Sequence, residues 1–175
     1  MSFPEGRMKF RTLVKDDLPY LFDYLNHLSI NSSNRFGPHT YDLASLQLFY
    51  TDPAHIGFIV CDQQFDQIIA YSVIGMGILP HDHSRLSSYG LTFQNEQEAT
   101  LAPSVADEWQ SRGVGSALLH FIFEELKNRS IKRIFLWGGV QATNEKAINY
   151  YHKHDFRILG QFEYHGQNFD MMKTL

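Results

Sequence analysis

The chain has 175 residues, 43% of them apolar, with 14 Phe, 9 Tyr and a formal net charge of −4. That length suits a single domain and that apolar share suits a packed core, which excludes a disordered chain, while the acidic balance argues against an extended nucleic-acid footprint. A lone cysteine, Cys61, excludes an intrachain disulfide, no apolar run reaches membrane-spanning length, and residues 1–11 lack the apolar stretch of a secretory signal, so a cytoplasmic location is expected.

Residues 8–14 alternate as a strand does. Asp16 and Asp17 can cap a helix running to Ser29, with Leu18, Leu21, Phe22 and Leu25 on one face. Residues 30–39, rich in Asn, Ser, Gly and Pro, read as a loop. Thr40 can cap a second helix over 41–50, with Leu43, Leu46 and Leu48 inward. The apolar runs 56–62 and 68–79 fit an antiparallel hairpin. The polar passage 80–97 reads as a loop leading into a strand at 98–105. Pro103 interrupts that strand; proline cannot donate to a ladder, so a bulge or an edge is expected there. A helix over 113–129 carries Leu118, Leu119, Ile122, Phe123 and Leu126 at helical spacing. A short strand follows at 131–137, then a helix over 144–154 opened by Thr143, with Lys146 in place of the acid of a full capping box. Strands at 156–163 and 168–174 flank His165 and Gly166. The order β-α-α-β-β-β-α-β-α-β-β predicts an α/β (α+β) fold in one domain over residues 1–175. Its core is a mixed, mostly antiparallel sheet of about seven strands flanked by about four helices.

The segment Gln110-Ser111-Arg112-Gly113-Val114-Gly115-Ser116 lies between a strand and an amphipathic helix. Glycines at such a junction let backbone N–H groups and the positive helix end face an anion, most often a phosphate. Alone this is a weak signal. It gains specificity from a second segment downstream, which carries Asn144, Ala147, Tyr151 and the pair Asp155-Phe156.

With these residues in these places the chain resembles the GCN5-related N-acetyltransferase (GNAT) superfamily. The family signature is Gln or Arg, two residues, Gly, one residue, then Gly or Ala; here it stands as Gln110, Gly113 and Gly115. The signature segments span 98–127 and 143–156. Two departures stand out: Asp107 where the family often has Pro, and Asp155 where it often has Gly. Aspartate tolerates left-handed backbone angles, so the helix exit at 155 can survive. The match is loose up to Tyr50, the part that carries acceptor specificity in the family.

The resemblance implies an acyl-CoA N-acyltransferase fold, acetyl-CoA as co-substrate, and a cofactor seat where two central strands splay. Backbone N–H groups of Arg112, Gly113, Val114, Gly115 and Ser116 would hold the pyrophosphate, with Gln110 heading the loop. Val105 and Ala106 would pair with the pantetheine amide like an added strand. Asn144 would meet the cofactor, and Tyr151 would sit near the thioester sulfur. The implied activity is direct transfer of acetyl to a primary amine of a small molecule or a protein. No metal, nucleic-acid or membrane partner is expected, and a homodimer is an expectation from the resemblance alone.

Acetyl transfer to an amine needs a neutral nucleophile, whereas a free lysine-type amine has a pKa of about 10.4. It needs a stabilised oxyanion and a proton for the departing thiolate. Tyr151 is the candidate acid, because a phenol with a pKa near ~10 is protonated at neutral pH. Glu98 is the first candidate for the base, with Glu96 and Asp107 near the same strand; alternation leaves open which face of that strand meets substrate.

Each of these residues also has a structural reading. Tyr150 and Tyr151 are adjacent, and one must face the core as a packed tyrosine. Asn144 can be a helix cap instead of a ligand contact. Trp109 can shield the cofactor or anchor the loop. Residues 34–38 can border the acceptor cleft or be a loop packed by Phe36. His81, Asp82 and His83 read as a solvated loop rather than a metal site, and His120, His152, His154 and His165 read as surface residues. Cys61 reads as a small buried side chain. A non-catalytic acyl-CoA-binding sensor is the alternative function. A nucleotide-binding α/β protein is disfavoured by the absence of a long β-α alternation.

Overall fold

The computed structural model describes residues 7–64, 66–94 and 96–175. Residues 1–6, part of the stretch read for a targeting signal, lie outside the described residues. Among the described residues there are eight strands and six helices. The chain divides into two compact units, one built from residues up to Ile74 with Ala102–Glu124, the other from Gly75–Leu101 with Glu125–Leu175.

In the first unit, β1 (Met8–Thr12) runs antiparallel to β2 (His55–Asp62), with Met8 opposite Asp62 and Thr12 opposite Phe58. The long β3 (Gln67–Met76) lies beside β2 and is buried from Ile68 to Gly75. The first helix, α1 (Leu18–Asn26), follows a 3₁₀ turn at Lys15–Asp17. Asp17 does not cap it through its side chain; its carboxylate accepts from Arg11 Nη2 at 2.7 Å and from the Val14 amide at 2.8 Å. α1 stops three residues short of Ser29, because Ser29 starts another helix.

That helix, α2 (Ile30–Ser33), stands where the sequence reads as loop; Ser29 Oγ accepts from the Ser32 amide at 3.3 Å. α3 (Leu43–Phe49) is capped by Asp42, whose Oδ1 accepts from the Ser45 amide at 2.9 Å, while Thr40 only supports that carboxylate. Leu46 is fully buried but Leu48 is 72% exposed. Two residues apart on a helix point to opposite sides, so the two leucines cannot share the inward face.

β4 (Glu98–Val105) and α5 (Val114–Asn128) each contribute to both units. Leu118, Leu119, Ile122 and Leu126 on α5 are fully buried, and Phe121 packs against Phe10 and Phe58 with ring centroids 5.9 Å apart in both cases.

In the second unit, β4 pairs in parallel with β5 (Arg133–Leu136), from Glu98 opposite Arg133 to Leu101 opposite Leu136. β5 pairs antiparallel with β8 (Gln167–Thr174), as do the two-residue β6 (Val140–Gln141) and β7 (Arg157–Glu163), the last with a bulge between Ile158 and Gly160. The hydrogen-bonded order is β1-β2-β3-β4-β5-β8-β6, with β7 also on β8. The expected mixed, mostly antiparallel sheet is present. The additional elements are β6, α2 and α4 (Pro80–Ser87), a helix in the passage expected to be loop, with Pro80 at its first position. α6 (Glu145–Lys153) completes the helices. No helix among the described residues is long and apolar enough to cross a membrane.

Pro103 does not break β4. The Leu101 carbonyl accepts from the Trp137 amide, while Glu98 O and the Ala106 amide bond to the β3 side at Gly77 and Ile69. Residues 101, 103 and 105 therefore turn their backbone groups toward the β5 side, where the last pair is Leu101 with Leu136. At Pro103 no β5 partner remains to be lost, which is the edge environment proline requires.

Candidate active site

Beyond β4 the chain makes a 3₁₀ turn at Asp107–Trp109 and enters the glycine loop. Asp107 accepts from the Ser29 amide at 2.9 Å and from the hydroxyls of Ser29 and Ser32 at 2.7 Å each. Gln110 Nε2 donates to Ser32 Oγ and to the Val105 carbonyl, both at 3.1 Å. The entry to the loop is thereby fastened to the start of α2. Sequence reasoning missed Ser29 and Ser32; the readable signal was a hydroxyl-rich stretch able to cap a helix. Trp109 is buried and anchors the loop, with the Arg7 and Arg112 guanidinium carbons 5.1 and 5.7 Å from its ring centroid.

The chain then takes left-handed angles at Ser111 (φ 59°) and Gly113 (φ 90°), and α5 begins at Val114. The Gly113 carbonyl accepts from the Ala117 amide at 3.0 Å. The amides of Val114, Gly115 and Ser116 lie in the first turn of the helix, at the positive end of its dipole. Residues 110–116 contain no carboxylate, and Arg112 adds a positive charge. This donor set suits the pyrophosphate of a CoA ester. Immediately upstream, the Ala106 amide is committed to Ile69 O at 3.0 Å, so on β4 it is the backbone of Pro103 and Val105 that faces the side past the last β5 pair.

Asn144 is the N-cap of α6; its Oδ1 accepts from the Ala147 amide at 3.2 Å. At the other end of α6, Asp155 adopts φ 63° and the Phe156 amide returns to the Tyr151 carbonyl at 3.0 Å, so the aspartate takes the left-handed position usually given to glycine. The Tyr151 ring is buried between Tyr150 and Phe156, each 5.3 Å away centroid to centroid. Its hydroxyl makes no hydrogen bond among the described residues, whereas every buried side-chain nitrogen or oxygen among them has a partner. Burial of the ring pushes the phenol above its usual 10.0, so it stays protonated through the physiological range.

Glu98 is only 1% exposed. Its Oε1 accepts two bonds from Arg133, one at 3.1 Å from Nε and a shorter one from Nη2, and its Oε2 accepts from the Gln94 amide at 2.8 Å. Glu96 lies in the exposed turn before β4.

Several histidine and cysteine expectations need adjusting. His81, Asp82 and His83 stand on α4, not in a loop; Asp82 is buried and accepts from Arg85 at 2.7 Å and from the Gly138 amide at 3.2 Å. His154 is buried against Tyr150 rather than on the surface, because it ends α6 on the same side as Tyr151. Cys61 is half-buried on β2 and burial raises its thiol pKa. Among the described residues no three His, Cys, Asp or Glu side chains gather as a metal site.

A sequence profile of the acetyltransferase (GNAT) family matches residues 21–156. The fold is shared by several solved structures. One is an acetyltransferase of the GNAT family from Streptococcus pneumoniae, 18% identical, with 96% of this chain and 99% of that one covered and a TM-score of 0.71. Another is a GCN5-related N-acetyltransferase from Kribbella flavida, 17% identical, with 98% and 100% covered and a TM-score of 0.72. A third is an engineered variant of the spermidine N-acetyltransferase SpeG from Vibrio cholerae, 19% identical, with 97% and 95% covered and a TM-score of 0.70. The chain matches no curated protein by sequence. The chain belongs to the acetyltransferase (GNAT) family. It is accordingly an N-acetyltransferase whose acetyl donor is acetyl-CoA.

Proposed function

We propose that this enzyme passes acetyl directly from acetyl-CoA to the primary amine of a small molecule or a protein, with the 175 residues acting as one catalytic domain. The sharing of β3, β4 and α5 between the two compact units, and a family match that runs through both, support the single-domain reading. Val114, Gly115 and Ser116 hold the pyrophosphate through their amides, Gly113 supplies the turn that aims them, and Arg112 adds charge. Val105 offers its backbone to the pantetheine arm along the open side of β4. Gln110 and Ala106 act by holding this frame, since their own polar groups are engaged within it.

The observation that carries the reading is the buried Tyr151 ring, whose hydroxyl makes no hydrogen bond among the described residues; burial keeps that phenol in its protonated form. A proton held there can be handed to the departing sulfur as the new amide forms. We assign Glu98 a supporting role, because Arg133 and Gln94 already occupy its carboxylate. Asn144 primarily fixes the start of α6. Polycationic amines are the first acceptors to screen. The chain is acidic, and two proteins of similar fold are by name a spermidine N-acetyltransferase and an aminoglycoside acetyltransferase, the latter with 18% identity and a TM-score of 0.70.

The test is Tyr151→Phe, assayed by release of free CoA thiol. Loss of the acid should lower kcat by about 10²-fold or more, with acetyl-CoA affinity by calorimetry unchanged. Wild-type kcat in the phenylalanine variant would refute the acid assignment.

A further inference from the structure

Segment 34–42, between α2 and α3, meets β3 at Tyr71, against which the buried Phe36 ring packs with centroids 5.7 Å apart and to which His39 adds a hydrogen bond. His39 Nδ1 lies 2.9 Å from the Thr40 carbonyl, and His39 Nε2 lies 2.8 Å from the Tyr71 hydroxyl. The Tyr71 hydroxyl is also hydrogen-bonded to that of Tyr50, at the end of α3. All three residues belong to the first unit, and Tyr71 is fully buried.

The chemistry fixes the direction of every proton in this chain. A carbonyl oxygen only accepts, so His39 Nδ1 carries the ring hydrogen. A neutral imidazole has one N–H, so Nε2 accepts and Tyr71 donates to it. Tyr71 has then used its only hydrogen, so Tyr50 must donate to Tyr71. The order is Tyr50 to Tyr71 to His39 to the Thr40 carbonyl, and it exists only while His39 is neutral.

Protonation of His39 makes both ring nitrogens donors. Tyr71 would have to accept at that point and turn its hydrogen toward Tyr50, and Tyr50 would have to turn its own hydrogen away. We propose that His39, Tyr71 and Tyr50 form a pH-gated latch, which holds segment 34–42 on β3 when His39 is neutral and releases it when His39 is protonated.

The surroundings agree. The groups facing His39 are Tyr71 from β3, Tyr50 and Phe49 from the end of α3, His55 at the start of β2, and Phe36 and Tyr41 from its own segment, with Asp42 engaged by Thr40 and Ser45. None of these facing groups is an anion that would stabilise an imidazolium, and His55 opposes it. Burial, a favourable backbone contact at Thr40 notwithstanding, holds the His39 pKa below the usual 6.5. The unfolded chain therefore binds the proton more readily. The latch contributes fully above 6.5 and weakens as pH falls from there toward the depressed folded value. This inference rests on the first unit alone and is independent of the transferase reading.

The experiment is hydrogen exchange of the amides in segment 34–42, corrected for intrinsic exchange, between about pH 7.5 and about pH 5.5. Wild-type protein should lose protection there by up to about tenfold per pH unit, while the amides of β3 hold theirs. His39→Gln supplies a non-titrating acceptor to Tyr71 and should keep the segment protected across the range. Unchanged wild-type protection, or the same pH dependence in His39→Gln, would overturn the latch. A measurement on the wild type needs no variant to fold: imidazole nitrogen shifts should show His39 with its hydrogen on Nδ1 at neutral pH. A hydrogen on Nε2 there would also overturn it.

Discussion

Replacing Arg133 by Met would strand the Glu98 carboxylate. Glu98 is 1% exposed, and of its hydrogen-bond donors only the Gln94 amide, at 2.8 Å, would remain. The change also removes the donor to the Thr92 carbonyl at 2.6 Å. Breaking a buried pair from one side costs about 3–5 kcal/mol. The Arg133 side chain is 23% exposed, so solvent already weakens the pair and the lower end, about 3 kcal/mol, is expected. With a urea slope of about 2 kcal/mol/M, the midpoint should fall by about 1.5 M. Urea unfolding followed by far-UV circular dichroism measures this directly. The double variant Glu98→Met with Arg133→Met removes the stranded charge and should be more stable than Arg133→Met alone. A loss below about 1 kcal/mol in the single variant, or no recovery in the double, would refute the reasoning. The same residue tests the chemistry: Glu98→Gln, corrected for folded fraction, should keep kcat within about threefold, and a loss of about 100-fold would return Glu98 to proton transfer.

Three further outcomes are expected. Gly113→Ala, at φ 90°, should cost about 1–2 kcal/mol in thermal or urea unfolding and weaken acetyl-CoA binding in calorimetry. Asn144→Ala should cost about 1 kcal/mol as a lost helix cap, with Asn144→Asp neutral; lost cofactor affinity without lost stability would instead make Asn144 a ligand contact. The Asp17 carboxyl is held below its usual 3.8, first by its hydrogen bond from Arg11 and then by the Val14 amide. Its contribution is present above that value and fades as pH falls through the depressed one, so Arg11→Met should give a shallower acid limb in Tm against pH.

What the sequence determined by itself was whatever depends on neighbours along the chain. Gly113 announces a left-handed turn because few other residues take φ 90° without strain, and the apolar period of α5 announces the helix that follows. Asp155 could be read as a helix exit for the same local reason. Short polar helices were harder: α4 opens on Pro80 and carries little apolar period, and what steadies it is Arg85 reaching Asp170 at 2.8 Å, far away in sequence. Glu98 looked like a free base on a strand. Only the parallel register that sets it opposite Arg133 showed its carboxylate to be occupied. The proton order through Tyr50, Tyr71 and His39 was equally invisible, since it needs β3 and the end of α3 brought together. Backbone conformation and period are local properties and survive in one dimension. The state of a polar group depends on which distant group folding brings within hydrogen-bond reach, and that is decided only by the tertiary structure.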